Sequence, residues 1–187
     1  KDALCRNSPQ IGYTRAMSPT IGIYGGTFDP PHLGHLILAA EALCQLRLDR
    51  LLWVLTPEPP HKPGHAISSL AHRLEMLRRA IADSPGFEIS TVEMDRPGPH
   101  YTIETLEILR RQFPTADLAL LIGGDSLRDF PGWHQPADIV AACRFIGVMR
   151  RPGDAIELDT LERIMPDLGP KIRFVDAPQL EISSSAI

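Results

Sequence analysis

Apolar runs typical of β-strands alternate with segments of helical periodicity along almost the whole chain of 187 residues. The strand-like runs are rich in leucine and β-branched residues and cover 20–24, 50–56, 87–93, 118–122, 145–149 and 172–175. Apolar residues at helical spacing cover 36–46, 69–83, 101–113 and 156–165. Because strands that alternate with helices form βαβ units, the pattern predicts an α/β fold. We expect a Rossmann-like, doubly wound, mainly parallel sheet with helices on both faces.

The length of the chain favours one such domain with a substantial core, which we expect to span 19–187. The residues before it have no apolar stretch of signal-peptide length and are interrupted by Asn7-Ser8-Pro9. Met17, just before the first predicted strand, is a plausible start of the native protein. We therefore interpret 1–18 as an N-terminal extension, either mobile or left over from expression.

Charge and composition disfavour several classes of function. A net charge of −4 leaves no excess of Lys and Arg to neutralise many phosphates, so we expect no nucleic-acid partner. No apolar run approaches the roughly 18–20 residues of a membrane span, so we expect no membrane partner either. The three cysteines, Cys5, Cys44 and Cys143, are too few and too widely spaced for a disulfide framework or a zinc site. A reducing, cytoplasmic location fits this pattern.

The segment 25–35, GGTFDPPHLGH, follows the first predicted strand and leads into the first predicted helix. Gly25 and Gly26 allow backbone N–H groups to approach an anion closely, and the N-terminus of the helix adds a positive dipole. His32 and His35 lie three residues apart and can donate hydrogen bonds to the same phosphate. The segment therefore predicts a site for a nucleoside triphosphate.

A metal site is the alternative interpretation of the two histidines, because His-x-x-His can also hold a metal ion. No third or fourth ligand follows at the spacing of a zinc finger or a zincin. His61 and His65 would complete a cluster only if the proline-rich loop 57–64 folded over the turn. Contact with phosphate is the favoured interpretation.

A second glycine pair, Gly123-Gly124, follows the fourth predicted strand. Ligands of open α/β sheets bind outside the carboxyl ends of the strands, where the winding direction reverses. If the first and fourth strands are neighbours there, both glycine turns face one crevice, and Asp125 can accept hydrogen bonds from ribose hydroxyls. Each pair could instead merely relieve crowding at a strand end, but the histidine segment favours the ligand site.

Two segments resemble the signatures of the nucleotidyltransferase superfamily. The first is 25–35, whose (H/T)-x-G-H element is here His32-Leu33-Gly34-His35, and the second is Ile182-Ser183-Ser184-Ser185, which resembles a motif that opens a helix. Within the superfamily, three further motifs resemble bacterial nicotinate-nucleotide adenylyltransferases: PHK at 60–62, YTIETL at 101–106, and GGDSL at 123–127 through Trp133. The resemblance runs from about residue 20 to the last residue, with the motifs in order.

This resemblance implies transfer of AMP from ATP to nicotinate mononucleotide, which yields deamido-NAD and pyrophosphate. It assigns catalysis to His32, His35 and Lys62. It implies Mg²⁺ as the cofactor, held by the phosphates of ATP and by no metal ligands of the protein.

The resemblance also implies which residues bind each substrate. The residues expected to bind ATP are Gly25, Gly26, Thr27, Phe28, His35, Gly124, Asp125, Ile182, Ser183 and Ser184. Trp133 is expected to stack on the pyridine ring, and Thr102, beside Tyr101, to receive the carboxylate with neighbouring backbone N–H groups. Without the resemblance, Trp133 and Tyr101 would be interpreted as packing residues. Ser183 and Ser184 fit equally the cap of a helix and hydroxyl donors to a nucleotide, two roles that are compatible at a helix start.

The chain departs from the family pattern near its end. Ser185 replaces the usual Thr and keeps the hydroxyl, but the sequence stops at Ile187, before the Arg that usually follows. We therefore expect a truncated or disordered C-terminal helix rather than a natural loss of this Arg. The alternatives are a related enzyme such as the pantetheine-phosphate adenylyltransferase, which 101–106 and Trp133 disfavour, and a regulatory module without catalysis, which His32, His35 and Lys62 disfavour. A homo-oligomer is left open.

Overall fold

Six strands form the sheet of the computed structural model, which describes residues 18–58, 67–150 and 158–178 together with 182, 184 and 187. The strands are β1 (Thr20–Gly26), β2 (Arg50–Leu55), β3 (Phe87–Ser90), β4 (Asp117–Gly123), β5 (Phe145–Arg150) and β6 (Ile172–Asp176). All their pairings are parallel, in the order β3-β2-β1-β4-β5-β6. This is the doubly wound Rossmann order, so the predicted fold class is confirmed.

Six α-helices connect the described strands and cover both faces of the sheet. They are α1 (Leu33–Gln45), α2 (Leu70–Ile81), α3 (Thr102–Gln112), α4 (Gly124–Asp129), α5 (Pro136–Ala142) and α6 (Leu158–Ile164). Because successive strand residues point to opposite faces, Ile21 and Ile23 pack with α3 and α5, whereas Tyr24 packs with α1 and α2. The strand β2 is buried on both sides in the same way.

The boundaries of several elements differ from the prediction. Ser69, the first residue of the predicted helical segment, is the N-cap of α2, since its Oγ accepts the backbone N–H of His72 at 3.3 Å. The strand β3 ends at Ser90, three residues earlier than its alternation predicts, because the chain turns there. The helix α1 begins at Leu33, three residues earlier than predicted, so that His32 becomes its N-cap.

The segment 131–136, which carries Trp133, is partly helical. Residues Phe130–Gly132 form one turn of 3₁₀ helix, and Pro136 opens α5. Pro at the first helical position has its φ angle preset and lacks an N–H that would have no partner there. The helices α4 and α5 have only six and seven residues, too few for a clear apolar period.

Parts of the chain named in the sequence analysis lie outside the described residues. They are most of the extension 1–18, the loop segment 59–66 with His61, Lys62 and His65, the start of the predicted helix 156–165, and Ser183 and Ser185. The organisation into an extension and one domain stays a prediction. Among the helices that are described, none combines the length and the apolar character that a bilayer span requires.

Candidate active site

The two glycine turns lie side by side at the carboxyl edge of the sheet. The strands β1 and β4 are neighbours, with Tyr24 paired to Leu121, so the condition for a shared crevice is met. A Cβ atom built at Gly25 meets nothing within 4 Å, whereas one at Gly26 would lie 2.8 Å from the ring of Phe28. Gly26 therefore does relieve crowding within the protein. Gly25 borders open space, where a ligand can approach the backbone closely.

The turn after β1 adopts an unusual backbone conformation at Phe28. Its φ is +46°, in the left-handed region that non-glycine residues seldom occupy. The buried ring of Phe28 packs edge-on against Tyr24 at 5.5 Å and lies 5.1 Å from Trp53, measured between ring centroids. This packing holds the turn in a conformation that the backbone alone disfavours. Within the described part of the chain, no hydrogen bond is made by the backbone N–H of Thr27 or Phe28.

The two signature histidines stand together at the start of α1. Their ring centroids are 3.8 Å apart, and the backbone N–H of His32 donates to Nδ1 of His35 at 3.2 Å. A neutral imidazole that accepts at Nδ1 carries its proton on Nε2, so His35 presents Nε2–H as a donor. The ring of Phe28 supports His35 edge-on, with centroids 5.3 Å apart. No acidic residue lies in the first turn of α1, so the positive end of its dipole is not neutralised there.

The second glycine turn opens α4 directly. Asp125 is exposed, and its Oδ1 accepts the backbone N–H of Ser126 at 2.9 Å. A Cβ on Gly123 would collide with that same Oδ1, so Gly123 makes room for the Asp125 side chain. The arrangement leaves Asp125 at the carboxyl end of β4, next to the turn that follows β1. Its role toward ribose stays a prediction.

The segments predicted to bind the pyridine ring meet through one aromatic contact. The ring of Tyr101, the N-cap of α3, stacks on His134 with centroids 4.1 Å apart and planes 23° apart. Trp133 is half-buried, packs on the core and lies 5.2 Å from the ring of Phe130. Trp133 therefore has a packing role as well as a partly exposed surface. Thr102 is the first residue of α3, where backbone N–H groups favour an anion.

Ser184 joins the two signature segments. Its hydroxyl donates to the carbonyl oxygen of Pro30 at 3.0 Å, across 154 positions of the chain. Because a serine hydroxyl has a single proton, Ser184 in this rotamer can only accept a hydrogen bond from a nucleotide. Ile182 nearby in sequence is 36% exposed, so its side chain is available to a ligand. The contact brings the end of the chain to the turn between β1 and α1.

Two arginines that the sequence analysis missed are organised around this site. Arg73 is 2% exposed and donates to four backbone carbonyls, those of Thr27, Thr56, Pro57 and Ser68. Burial lowers the pKa of Arg73 from its ordinary value, an effect that the nearby Asp29 carboxylate opposes. The available signal was its spacing, because Arg73 lies three residues after Leu70 and four before Leu77, on the apolar face of the helix.

The second arginine, Arg96, braces the start of α3. Its guanidinium donates to the carbonyls of Pro99 and Tyr101 at 3.1 and 3.3 Å, to the Glu104 carboxylate, and to Oγ1 of Thr105 at 3.1 Å. The hydroxyl of Thr105 in turn donates to the buried carboxylate of Glu93 at 2.7 Å. This network holds the segment 96–101 against the helix terminus that carries Thr102.

The described residues hold no group of three or more His, Cys, Asp or Glu side chains that could bind a metal ion. His32 and His35 are therefore not part of a protein-only metal centre formed within that part of the chain. Because His61 and His65 lie outside the described residues, the cluster considered from the sequence stays untested.

Comparisons with known proteins agree with the fold and the motifs. The cytidylyltransferase-like family model matches residues 23–187. A probable nicotinate-nucleotide adenylyltransferase of Thermomicrobium roseum is 43% identical over 167 residues, which cover 89% of this chain and 78% of that protein. The nicotinate-nucleotide adenylyltransferase of Bacillus subtilis is 39% identical over 167 residues, with coverage of 89% and 82%.

A solved structure adds independent evidence for the fold. The nicotinic acid mononucleotide adenylyltransferase of Plasmodium falciparum, complexed with NaAD, superposes with a TM-score of 0.74. The match covers 90% of this chain and 82% of that one at 21% sequence identity, which shows a shared fold. Together with the two closer relatives, these findings show that the chain belongs to the nicotinate-nucleotide adenylyltransferase family of cytidylyltransferase-like proteins.

Proposed function

We propose that the chain transfers AMP from ATP to nicotinate mononucleotide at the carboxyl edge of β1 and β4, giving deamido-NAD and pyrophosphate. One observation carries the assignment to this site: two imidazoles 3.8 Å apart stand at the N-terminus of α1, beside a glycine that borders open space. The imidazoles and the positive end of the α1 dipole thus lie at the same helix terminus. Such an arrangement suits a group with several negative charges.

The reaction demands positioning and charge neutralisation more than it demands a base. The phosphate of the mononucleotide is already ionised at neutral pH and attacks the α-phosphorus of ATP in line with the departing pyrophosphate. Both reactants are anionic, so the site must hold them together against their repulsion. Holding two reactants in the reactive geometry can lower the barrier by about 7–11 kcal/mol.

The phosphates of ATP would lie against the turn after β1. In this proposal, the backbone N–H groups of Thr27 and Phe28 and the Nε2–H of His35 donate to phosphate oxygens. His32 stands beside His35 and stabilises the charge that builds between the α- and β-phosphates. Lys62 adds a further positive charge from the proline-rich loop. The two imidazoles are already held together at the start of α1, and donors fixed in place before the substrate arrives are the condition for strong electrostatic stabilisation of a transition state.

The rest of ATP would occupy the neighbouring segments. Asp125 accepts from the ribose hydroxyls, with Gly124 leaving space for them, while Ile182, Ser183 and Ser184 line the nucleotide on the other side. For Ser184 this means accepting a hydrogen bond, since its proton is given to Pro30. Mutation of Ser184 would therefore act on the turn as well as on the nucleotide.

Mg²⁺ fits this donor set as an ion that enters with ATP. The described part of the site offers no cluster of carboxylates, and Mg²⁺ commonly binds substrate phosphates and keeps several waters. When bound, it would neutralise charge on the triphosphate. The residues of the chain then orient the phosphates through Gly25, Gly26 and the two histidines.

The mononucleotide would bind between α3 and the segment 133–134. The N-terminus of α3 at Thr102 receives the nicotinate carboxylate, and Trp133 offers an aromatic face to the pyridine ring. The stack between Tyr101 and His134 supports this arrangement because it holds the two segments together. A carboxylate benefits from the positive end of α3 more than a neutral amide does.

Release of pyrophosphate tests the proposal. We expect release with ATP and nicotinate mononucleotide, and none with phosphopantetheine or with CTP in place of ATP. Activity with phosphopantetheine would support the related pantetheine-phosphate enzyme. A folded protein that binds ATP without releasing pyrophosphate in the presence of any of these acceptors would be a regulatory module.

A further inference from the structure

We propose that Arg73 is a positioning residue for ATP: it fixes the phosphate-binding turn by holding the carbonyl of Thr27. This inference rests on the proposed function of that turn. Arg73 touches no position assigned to a reacting atom, so it acts through the backbone. Its guanidinium is buried, and its hydrogen bonds join three segments that are separate in sequence.

The hydrogen bonds of Arg73 link β1 and β2 beyond the last backbone hydrogen bond between these strands. The final ladder bond between the ends of β1 and β2 runs from the N–H of Thr56 to the carbonyl of Gly26, at 2.9 Å. Just beyond this bond, Nη1 of Arg73 donates to the carbonyl of Thr27, the residue after Gly26, and to the carbonyl of Thr56 itself, at 2.9 and 2.8 Å. A planar guanidinium can bridge carbonyls in this way because its donors form a rigid fork.

The start of α2 is tied to the same point. Nε of Arg73 donates to the carbonyl of Ser68 at 3.0 Å, and Nη2 donates to the carbonyl of Pro57 at 2.7 Å. The backbone N–H of Ser68 donates to Oδ2 of Asp29 at 2.8 Å. Arg73 and Asp29 thus hold both backbone polar groups of Ser68, so that the segment leading into α2 is tied to the turn by two hydrogen-bonded side chains.

Fixing the Thr27 carbonyl also fixes the N–H that follows it. In a trans peptide the C=O and the next N–H point in opposite directions. With the carbonyl of Thr27 directed at Arg73, the N–H of Phe28 points away from α2. That N–H makes no hydrogen bond within the described part of the chain. We infer that Arg73 aims this donor, and the neighbouring N–H groups of the turn, at the phosphates of ATP.

Conservative replacement of Arg73 separates positioning from general stability. Arg73→Lys keeps the positive charge but cannot bridge four carbonyls, because an ammonium has three donors on one atom. We expect the Kd for ATP, measured by calorimetry without mononucleotide, to rise about 10-fold or more. We expect the Kd for nicotinate mononucleotide, also measured by calorimetry, to change by less than about 3-fold, since α3 and the segment 133–134 are braced by Arg96 and by their own stack.

Arg79→Lys is the matched control. Arg79 lies on the same helix, with a side chain that is 80% exposed and paired with Glu75 one turn earlier. It should leave both substrate constants unchanged. Added methylguanidinium should partly restore ATP binding to a folded Arg73→Ala variant, which a loss of general stability would not predict.

Asp29→Ala covers the case in which no Arg73 variant folds. It removes the second anchor of Ser68 and should weaken ATP binding several-fold in the same selective way. The inference is overturned if a folded Arg73→Lys protein binds ATP like the wild type, or if its two substrate constants worsen equally. It is also overturned if Arg73 variants fail to fold and Asp29→Ala leaves the Kd for ATP unchanged. Because ATP binding is measured without turnover, a wild type that makes no deamido-NAD would refute the proposed function and not this inference.

Discussion

The backbone N–H of His32 donates to Nδ1 of His35 across 3.2 Å, so the N-cap of α1 and the third residue of that helix are joined by a hydrogen bond. This bond fixes the tautomer of His35 and leaves its proton on Nε2. It also keeps the two rings together, with centroids 3.8 Å apart. The spacing His-x-x-His therefore allows this hydrogen bond at the helix start, in addition to the proposed contact with phosphate.

The hydrogen bond between the histidines predicts different roles for the two ring nitrogens of His35, which substitutions can distinguish. His35→Ala should lower kcat/KM by at least ~100-fold, as expected when one donor to a developing negative charge is lost. In His35→Asn, the amide oxygen can replace Nδ1 as the acceptor for His32, but nothing replaces Nε2. We expect His35→Asn to fold like the wild type and to be about as inactive as His35→Ala.

Steady-state kinetics and circular dichroism on both variants check this prediction. His72→Ala, at an exposed position of α2, is the control and should leave turnover unchanged. Turnover near that of the wild type in a folded His35→Asn protein would show that Nε2 has no role.

We expect the metal requirement to come from Mg²⁺ that enters with ATP, and not from a metal ion bound by the protein alone. We expect the purified protein to carry no stoichiometric zinc and to require added Mg²⁺ for turnover. Elemental analysis of the purified protein and an assay after treatment with a chelator measure the two quantities. About one tightly held zinc per chain, lost in His32→Ala, would instead support the metal interpretation of the histidines.

The choice between the two mononucleotides should depend on α3 and not on Trp133. We expect a preference for nicotinate over nicotinamide mononucleotide of ~10-fold or more, because a charge-assisted hydrogen bond contributes roughly 1.5–3 kcal/mol. Trp133→Ala should weaken both substrates and leave their ratio nearly unchanged, since an aromatic face stacks on either ring. Kinetics with both mononucleotides on both proteins test this expectation.

The packing of Trp133 on Phe130 requires a second variant. Trp133→Ala should also lower the Tm, because the side chain fills part of the core boundary. Trp133→Phe should recover more of the affinity while keeping the same ratio. A ratio that changes strongly in Trp133→Phe would give the tryptophan a role in discrimination.

The two described cysteines should differ in reactivity. Cys44 is exposed, whereas burial raises the pKa of Cys143 to about 12. In native protein at pH 8, iodoacetamide should modify Cys44 and leave Cys143 intact until the chain unfolds, as peptide mapping by mass spectrometry can show. Since the thiol of the unfolded chain ionises near pH 9, the contribution of Cys143 to stability is present below that pH and is lost as pH rises through 12. Rapid modification of Cys143 in the native protein would contradict its burial.

The sheet could be predicted from the sequence because each strand carries its own apolar run. The run in β2, for example, is buried at five successive positions from Leu51 to Leu55 and ends where predicted to within one residue. The glycine pairs that follow β1 and β4 are also visible in the sequence, which left the adjacency of these two strands as a condition that the structure meets. In both cases the signal lies within a short stretch of sequence. The general rules for connections in parallel sheets then restrict how the strands can be arranged.

Contacts between distant residues could not be predicted in this way. Arg73 is one charged residue on a helix face. The residues next to it in sequence do not indicate that its side chain binds the carbonyls of Thr27 and Thr56. The stack of Tyr101 on His134 joins two segments separated by more than thirty residues. Such pairs depend on the relative placement of loops, which periodicity does not encode.

The fate of the α-phosphorus of ATP tests the central claim most directly. With ATP radiolabelled at that atom, nicotinate mononucleotide and Mg²⁺, the proposed reaction moves the label into deamido-NAD and leaves the released pyrophosphate unlabelled. His35→Asn should slow this transfer by at least ~100-fold without redirecting it. Label recovered as free AMP, or left in ATP under conditions in which the protein is folded and binds both substrates, would contradict adenylyl transfer at this site.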